Sequence, residues 1–137
     1  MARFEVGKEY RRSDLHAEYG GQEQGGICTP RKHPVIFLFS SPGGERFGYT
    51  DGWKGKHYFY SGEGTSGDMV FKRGNKAIRD HGNKEIHLFE QARAGVFRYV
   101  GEFVYYDHHI REGTDKDGKK RTMIIFELAP KGEVAEK

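Results

Sequence analysis

At 137 residues the chain has room for one domain with a real hydrophobic core and is too short for two of ordinary size. Charged residues make up 31% and hydrophobic ones 35%, while Phe, Tyr and Trp supply 14%, so the core leans on aromatic rings. Lys+Arg number 23 against 20 Asp+Glu, and the net charge of +3 mildly favours a polyanionic partner over an acidic one. The single cysteine, Cys28, excludes an internal disulfide and has no CxxC neighbour for a structural zinc, which suits a reducing cytoplasm, or the nucleoid if the source is bacterial. No run approaches the roughly 18 apolar residues of a membrane span, and MARFEVGKEYRR lacks the apolar centre of a signal peptide. The expectation is a protein that stays where it is made, away from membranes.

In chain order, Ser13 ahead of Asp14 to Ala17, with a stop at Gly20-Gly21, predicts a short N-capped helix with a glycine exit. A glycine-rich loop runs to Gly26. Val35 to Phe39 is a continuous apolar run between Pro34 and a Ser/Pro/Gly cluster, which predicts a buried strand, with 46–50 as its hairpin partner. His57 to Ser61 is short and aromatic, as a strand requires, and glycines 62, 64 and 67 turn it into a tight polar loop. Residues 75–81 have helical composition and end at Gly82, and Ile86 to Phe89 reads as a strand. Val96 to Tyr106 is the longest β-like stretch, joined by a turn at 115–118 to a partner at 122–128. Residues 131–137 form a charged tail after a single domain over 1–130. The expected class is α+β and mainly β: a mixed β-barrel of five to six strands with two or three short helices.

The densest chemistry lies between Gly48 and Ala77, which places Tyr49, Asp51, Trp53, Tyr58, Phe59 and Tyr60 close together. On composition alone this is as readily barrel core beside a surface turn as it is a binding site. A base turned out of a duplex exposes two π-faces and a Watson-Crick edge, so a pocket for it needs rings and, for the amine of cytosine, a carboxylate. Tyr49, Tyr60 and Asp51 have that chemistry. Stacking contributes about 1–3 kcal/mol per base and unstacking costs a few, so phosphate contacts must supply the remaining affinity.

Tyr49-Thr50-Asp51-Gly52, then Tyr60-Ser61-Gly62-Glu63-Gly64, then Gly74-Asn75-Lys76-Ala77 resemble, in order and approximate spacing, the SRA (YDG) domains that bind methylated cytosine. The remainder resembles a bacterial branch found beside HNH nuclease domains in modification-dependent restriction endonucleases. Tyr10-Arg11-Arg12, Asp14-Leu15-His16, Tyr19-Gly20-Gly21, Gly25-Gly26-Ile27, Gly67-Asp68-Met69, His87-Leu88-Phe89-Glu90 and Phe126-Glu127-Leu128 carry that likeness. The resemblance implies a PUA/SRA-like barrel with a crescent-shaped DNA face. It also implies that Tyr49 and Tyr60 sandwich the flipped base, that an acid holds its polar edge, and that Ser61 helps enclose the methyl group. The spacing leaves the acid open between Asp51 and Asp68, and Trp53 is an extra ring that could replace either tyrosine.

Basic residues at Arg11, Arg12, Arg31, Lys32, Lys54, Lys72 and Arg73 are the candidate phosphate contacts, against the ordinary reading of a solvated surface. Asp107-His108-His109 matches the short signature of DHH phosphoesterases but lacks their further motifs, and the seven histidines show no HExxH or compact HNH pattern. No metal, cofactor or catalytic set is therefore expected. The reading is a non-enzymatic binder of double-stranded DNA containing 5-methylcytosine, with a separate nuclease as a possible partner. The alternatives are a reader of 5-hydroxymethylcytosine or phosphorothioate, a PUA-like RNA-binding module, and a cryptic nuclease.

Overall fold

The computed structural model describes residues 3–41 and 50–132. Eight strands and two helices follow in the order β1 (Glu9–Arg11), α1 (Arg12–Tyr19), β2 (Ile27–Cys28), β3 (Val35–Ser40), β4 (Gly52–Lys54), β5 (His57–Ser61), α2 (Arg73–Arg79), β6 (Glu85–Arg93), β7 (Val96–Thr114) and β8 (Lys120–Pro130). They form one mixed sheet in the order β2-β3-β6-β7-β8-β5-β4, with β1 added to β7. The β3/β6 pair is parallel and the others are antiparallel. No described helix is long and apolar enough to cross a membrane.

The mainly β class stands, with eight strands where five to six were expected. The additional ones are β1, β2 and β4, of two or three residues each. Segments that short carry no measurable alternation and form because a longer neighbour offers ladder hydrogen bonds. The expected partner of β3 at 46–50 lies almost wholly outside the described residues, as do 133–137 of the expected tail; β3 itself pairs with β2 and β6. Helix α2 starts two residues earlier than composition suggests, at Arg73, which adopts φ +48°.

Strand β3 is buried along its whole length because it has a core on each face. Ile36 and Leu38 join Ile27, Tyr58, Tyr60, Ile78, Ile124 and Phe126 in one cluster. Val35, Phe37 and Phe39 join Leu15, Cys28, Phe89, Phe97 and Tyr99 in a second, which α1 covers. The aromatic surplus in the composition goes into this second core: the Phe37, Phe39 and Phe89 rings pack 5.5–6.4 Å apart.

The backbone ladder does not close, since β2 and β4 are the two ends of the path. The sheet nonetheless curls until side chains of β5 meet β3 and β6. The Tyr60 hydroxyl donates to the Phe39 carbonyl (3.1 Å), and the Tyr58 hydroxyl lies 2.8 Å from Glu90 Oε2 and 3.0 Å from Ser40 Oγ. Burial pushes the Tyr58 phenol far above its usual range, so the proton stays on the ring oxygen as a donor.

The β7–β8 turn is organised by Asp115, whose carboxylate accepts the N–H groups of Lys119 (3.0 Å), Asp117 (2.9 Å) and Gly67 (3.4 Å). These bonds, that from Lys119 foremost, hold its carboxyl below the usual value. A depressed folded-state pKa stabilises the fold above about pH 4, the unfolded value, and this contribution disappears as pH falls through the folded value. Asp115→Asn is expected to lower the urea midpoint at pH 6 and to flatten its decline between pH 6 and 3.

Candidate functional site

Phe39 and Ser40, the last residues of β3, are where the site is assembled. Asp51, the residue before β4, accepts the Ser61 N–H on Oδ1 (2.8 Å) and the Ser40 hydroxyl on Oδ2 (3.2 Å). The acid thus bridges the open edge between β3 and β5, directly above the point where Tyr60 reaches the Phe39 carbonyl. Gly26 makes this approach possible: a Cβ there would stand 2.4 Å from the Tyr60 hydroxyl and 3.1 Å from the Phe39 carbonyl. Tyr60, Ser61 and Asp51 are therefore brought together as the sequence pattern anticipates.

Other candidates fall elsewhere. Tyr49 lies outside the described residues. Asp68 is exposed and accepts the Thr122 N–H at the start of β8 (2.7 Å), so of the two acids only Asp51 stands beside Tyr60 and Ser61. Tyr60 is only 3% exposed, so this candidate's ring is also a wall of the core. Trp53 pairs across strands with Tyr58, packs edge-on against it and at a tilt against Phe103, and remains 48% exposed.

The loop after β5 is held by residues that the chemistry of a base pocket did not single out. Asn75, buried in α2, accepts the Glu63 N–H (2.8 Å) and donates to the carbonyls of Glu63 and Val70 (3.0 Å each). Glu63 in turn accepts the Gly74 N–H (2.8 Å). Gly62 and Gly74 are small of necessity: a Cβ on the first would meet Asn75 Oδ1 at 2.8 Å, and on the second Ile27 at 2.7 Å. Arg121 donates from Nη1 to the carbonyls of Gly64 (2.7 Å) and Gly67 (3.2 Å), fastening the far side of the loop to β8. The Gly-Asn-Lys-Ala motif contained the signal for Asn75. Nothing in the sequence around Arg121 distinguished it from the lysines beside it.

The basic candidates divide into separate groups. Arg11 is exposed on β1. Arg12 lies inward, its guanidinium 4.0 Å above the Phe39 ring, donating from Nε to His16 Nε2 (2.9 Å) and from Nη2 to the Gln22 carbonyl (3.4 Å). Burial lowers its pKa, and its packing role takes precedence over a surface one. His16 donates from Nδ1 to the Gly20 carbonyl (3.0 Å), and burial pushes the neighbouring Cys28 thiol up to about 11. Arg31 and Lys32 are exposed on a cavity of about 760 Å³ shared with Tyr19, Gln22, Thr29 and His33. Lys54 lies 5.0 Å from the Phe59 ring, and Lys72 and Arg73 are exposed where α2 begins.

The family model described as "ScoMcrA-like, SRA domain" matches residues 6–137. The structure superposes on the sulfur binding domain and SRA domain of ScoMcrA complexed with phosphorothioated DNA, with a TM-score of 0.75 and 25% identity over 93% of this chain and 40% of that one. It superposes on the SUVH5 SRA domain in complex with fully methylated CG DNA at 0.64 and 23% identity, covering 92% and 88% of the two chains. For the MspJI restriction endonuclease in complex with a 27-mer oligonucleotide the values are 0.67 and 19%, over 91% and 42%. The chain spans less than half the length of the ScoMcrA chains it matches. No curated protein matches the sequence.

Replacing Asn75 by Ala removes three hydrogen bonds, two with the backbone of the half-buried Glu63 and one with that of Val70. The expected cost is about 3 kcal/mol in urea unfolding. Lys76→Ala, exposed one residue on, should leave the midpoint unchanged.

Proposed function

The chain belongs to the family of ScoMcrA-like SRA domains, and from that premise we propose that it reads double-stranded DNA carrying a modified cytosine, with 5-methylcytosine as the preferred mark. The family is a DNA-reading module without catalytic machinery of its own, and the nucleases of its longer relatives are partners by fusion. A separate nuclease is the corresponding partner proposed here.

The observation that carries the reading is Asp51. A carboxylate fixed between the Ser61 N–H and the Ser40 hydroxyl, beside Tyr60, is an oriented acceptor at the open edge of a curled sheet. A carboxylate accepts from the exocyclic amine of cytosine, and pre-orientation means that little side-chain entropy is lost on binding. Tyr60 supplies a ring whose tilt is set by its bond to Phe39, Tyr49 supplies the opposite ring, and Ser61 flanks the methyl position. Arg31 and Lys32, exposed on the cavity of about 760 Å³, are the proposed phosphate contacts, with Arg11, Lys72 and Arg73 as further ones. Arg12 contributes by holding Phe39 in place.

A second reading has its own support: the ScoMcrA complex contains phosphorothioated DNA. Matched duplexes that differ in one site, with cytosine, 5-methylcytosine, 5-hydroxymethylcytosine or a phosphorothioate, separate the marks in gel-shift titrations. An RNA competitor tests the remaining binding class. Preference for 5-methylcytosine supports the proposal, whereas equal, salt-sensitive binding to every duplex reduces the protein to a basic surface.

Asp51→Asn keeps the shape and replaces an acceptor with a donor facing the base. The expected result is a loss of about 10- to 100-fold in affinity for the preferred duplex, with unmodified DNA little affected. Tyr49→Ala should cost about 5- to 150-fold, the equivalent of one stacking ring. Tyr60→Phe retains the ring and removes the hydroxyl bonded to Phe39, so it should lower stability while keeping discrimination.

A further inference from the structure

The sequence offers Asp107, His108 and His109 as consecutive residues, and the fold separates them. A β-bulge between Tyr105 and Asp107 shifts the alternation of β7 by one residue. Asp107 then stands directly opposite Glu127 of β8, and His109 projects on the same face two residues on. His108 turns to the other face, where its Nδ1 meets the Tyr105 hydroxyl at 2.6 Å and its ring packs edge-on against Phe71.

Ligand atoms of Asp107, His109 and Glu127 all lie within 4.8 Å of one another. Glu127 is held from both sides: His109 Nε2 lies 2.8 Å from Oε1, and His57 Nδ1 of β5 contacts Oε2. Like charges directly opposite across a strand pair are destabilising, so the Asp107/Glu127 pair creates a demand for positive charge. Glu127 and His57 side chains are 15% and 19% exposed, against 44% for His109, and Asp107 is exposed as well, so Glu127 forms the inner wall of the site and Asp107 and His109 stand at its mouth.

We propose that Asp107, His109 and Glu127 bind a divalent transition-metal cation of the zinc type, with His57 positioning the Glu127 carboxylate. One imidazole and two carboxylates form a mixed nitrogen and oxygen set suited to that class. Ligands of a four-coordinate ion at about 2.0–2.2 Å are separated by about 3.4 Å, so His109 and Glu127, now 2.8 Å apart, have to open slightly, and no pair within the 4.8 Å limit has to close by more than about 1.4 Å, within reach of the exposed Asp107 and His109. On coordination the Nε2 lone pair faces the ion in place of the hydrogen bond that Nε2 now makes to Glu127. The ion would pin the bulge of β7 to β8, the strand that carries Phe126 opposite Tyr60. This proposal is independent of the DNA-reading one.

The test is calorimetric titration of the untagged protein with ZnCl2, alongside thermal melting with and without zinc. The expected result is one saturable ion per chain and a melting temperature that rises with zinc concentration. Asp107→Asn with His109→Asn should abolish both effects while the metal-free protein still melts cooperatively. His57→Gln should weaken zinc by about 10- to 100-fold. His108→Gln, on the opposite face, and His87→Gln, in the separate Glu85/His87/Glu102 cluster, should leave affinity unchanged. No saturable heat and no melting shift would overturn the proposal and show that the pair is already neutralised, for instance by Lys54 and Arg111 on the adjoining cavity. Binding that survives the double variant, or that is lost with His87, would overturn it in favour of another site.

Discussion

Two hydroxyl groups decide what kind of molecule this is. An eight-stranded sheet whose end strands do not pair would ordinarily leave a core exposed along one edge. Here β5 turns the Tyr58 and Tyr60 hydroxyls across that edge, one to Ser40 and Glu90, the other to the Phe39 carbonyl. Side chains complete a closure that the backbone does not, and each of the two rings remains in the core. A gap sealed by side chains, unlike a continuous ladder, leaves room for a functional group: Asp51 occupies it, bonded to both banks. The structural solution to an open sheet and the placement of the candidate acid are thus one arrangement.

This bears on how much could be read in advance. The long strands were legible: β3 as an apolar run, β5 as an aromatic one, and β7 and β8 as a hairpin with a polar turn. Their true lengths were less so, because β7 runs past Tyr106 into Asp107 to Thr114, whose polar outer residues conceal the alternation. The parallel pairing of β3 with β6 was invisible, since it joins segments about 45 residues apart and depends on both faces of β3 being covered. At the site, the grouping of Tyr60, Ser61 and Asp51 was legible from motif order. Which of Asp51 and Asp68 stands beside Tyr60 was not, because it turns on whether a carboxylate meets the Ser61 N–H or the Thr122 N–H.

Arg12 shows why charge alone misleads. Its neighbour Arg11 is exposed on β1, while Arg12, the first residue of α1, folds over Phe39 and joins His16. A guanidinium is weakly hydrated and flat enough to stack on a ring, so burying it there costs less than burying an ammonium. Phe39 is consequently fixed on three sides: Arg12 over its ring, Phe89 stacked at 5.5 Å, and Tyr60 on its carbonyl.

The motif residues around the site belong as much to architecture as to recognition. Gly62, Gly74 and Gly26 are each placed where a methyl group would strike a neighbour that orders the loop or the seam. Asn75 clamps Glu63 while Glu63 caps Gly74, so two motifs distant in the sequence form one hydrogen-bonded unit. Arg121 and Asp115 then tie the other end of that loop to the β7–β8 hairpin. A carboxylate acceptor discriminates between bases only if it cannot drift to follow the wrong one. In the proposed reading, the hydrogen bonds that hold the surrounding glycine loop are therefore the condition under which Asp51, two hydrogen bonds deep in the seam, would read an edge instead of merely attracting one.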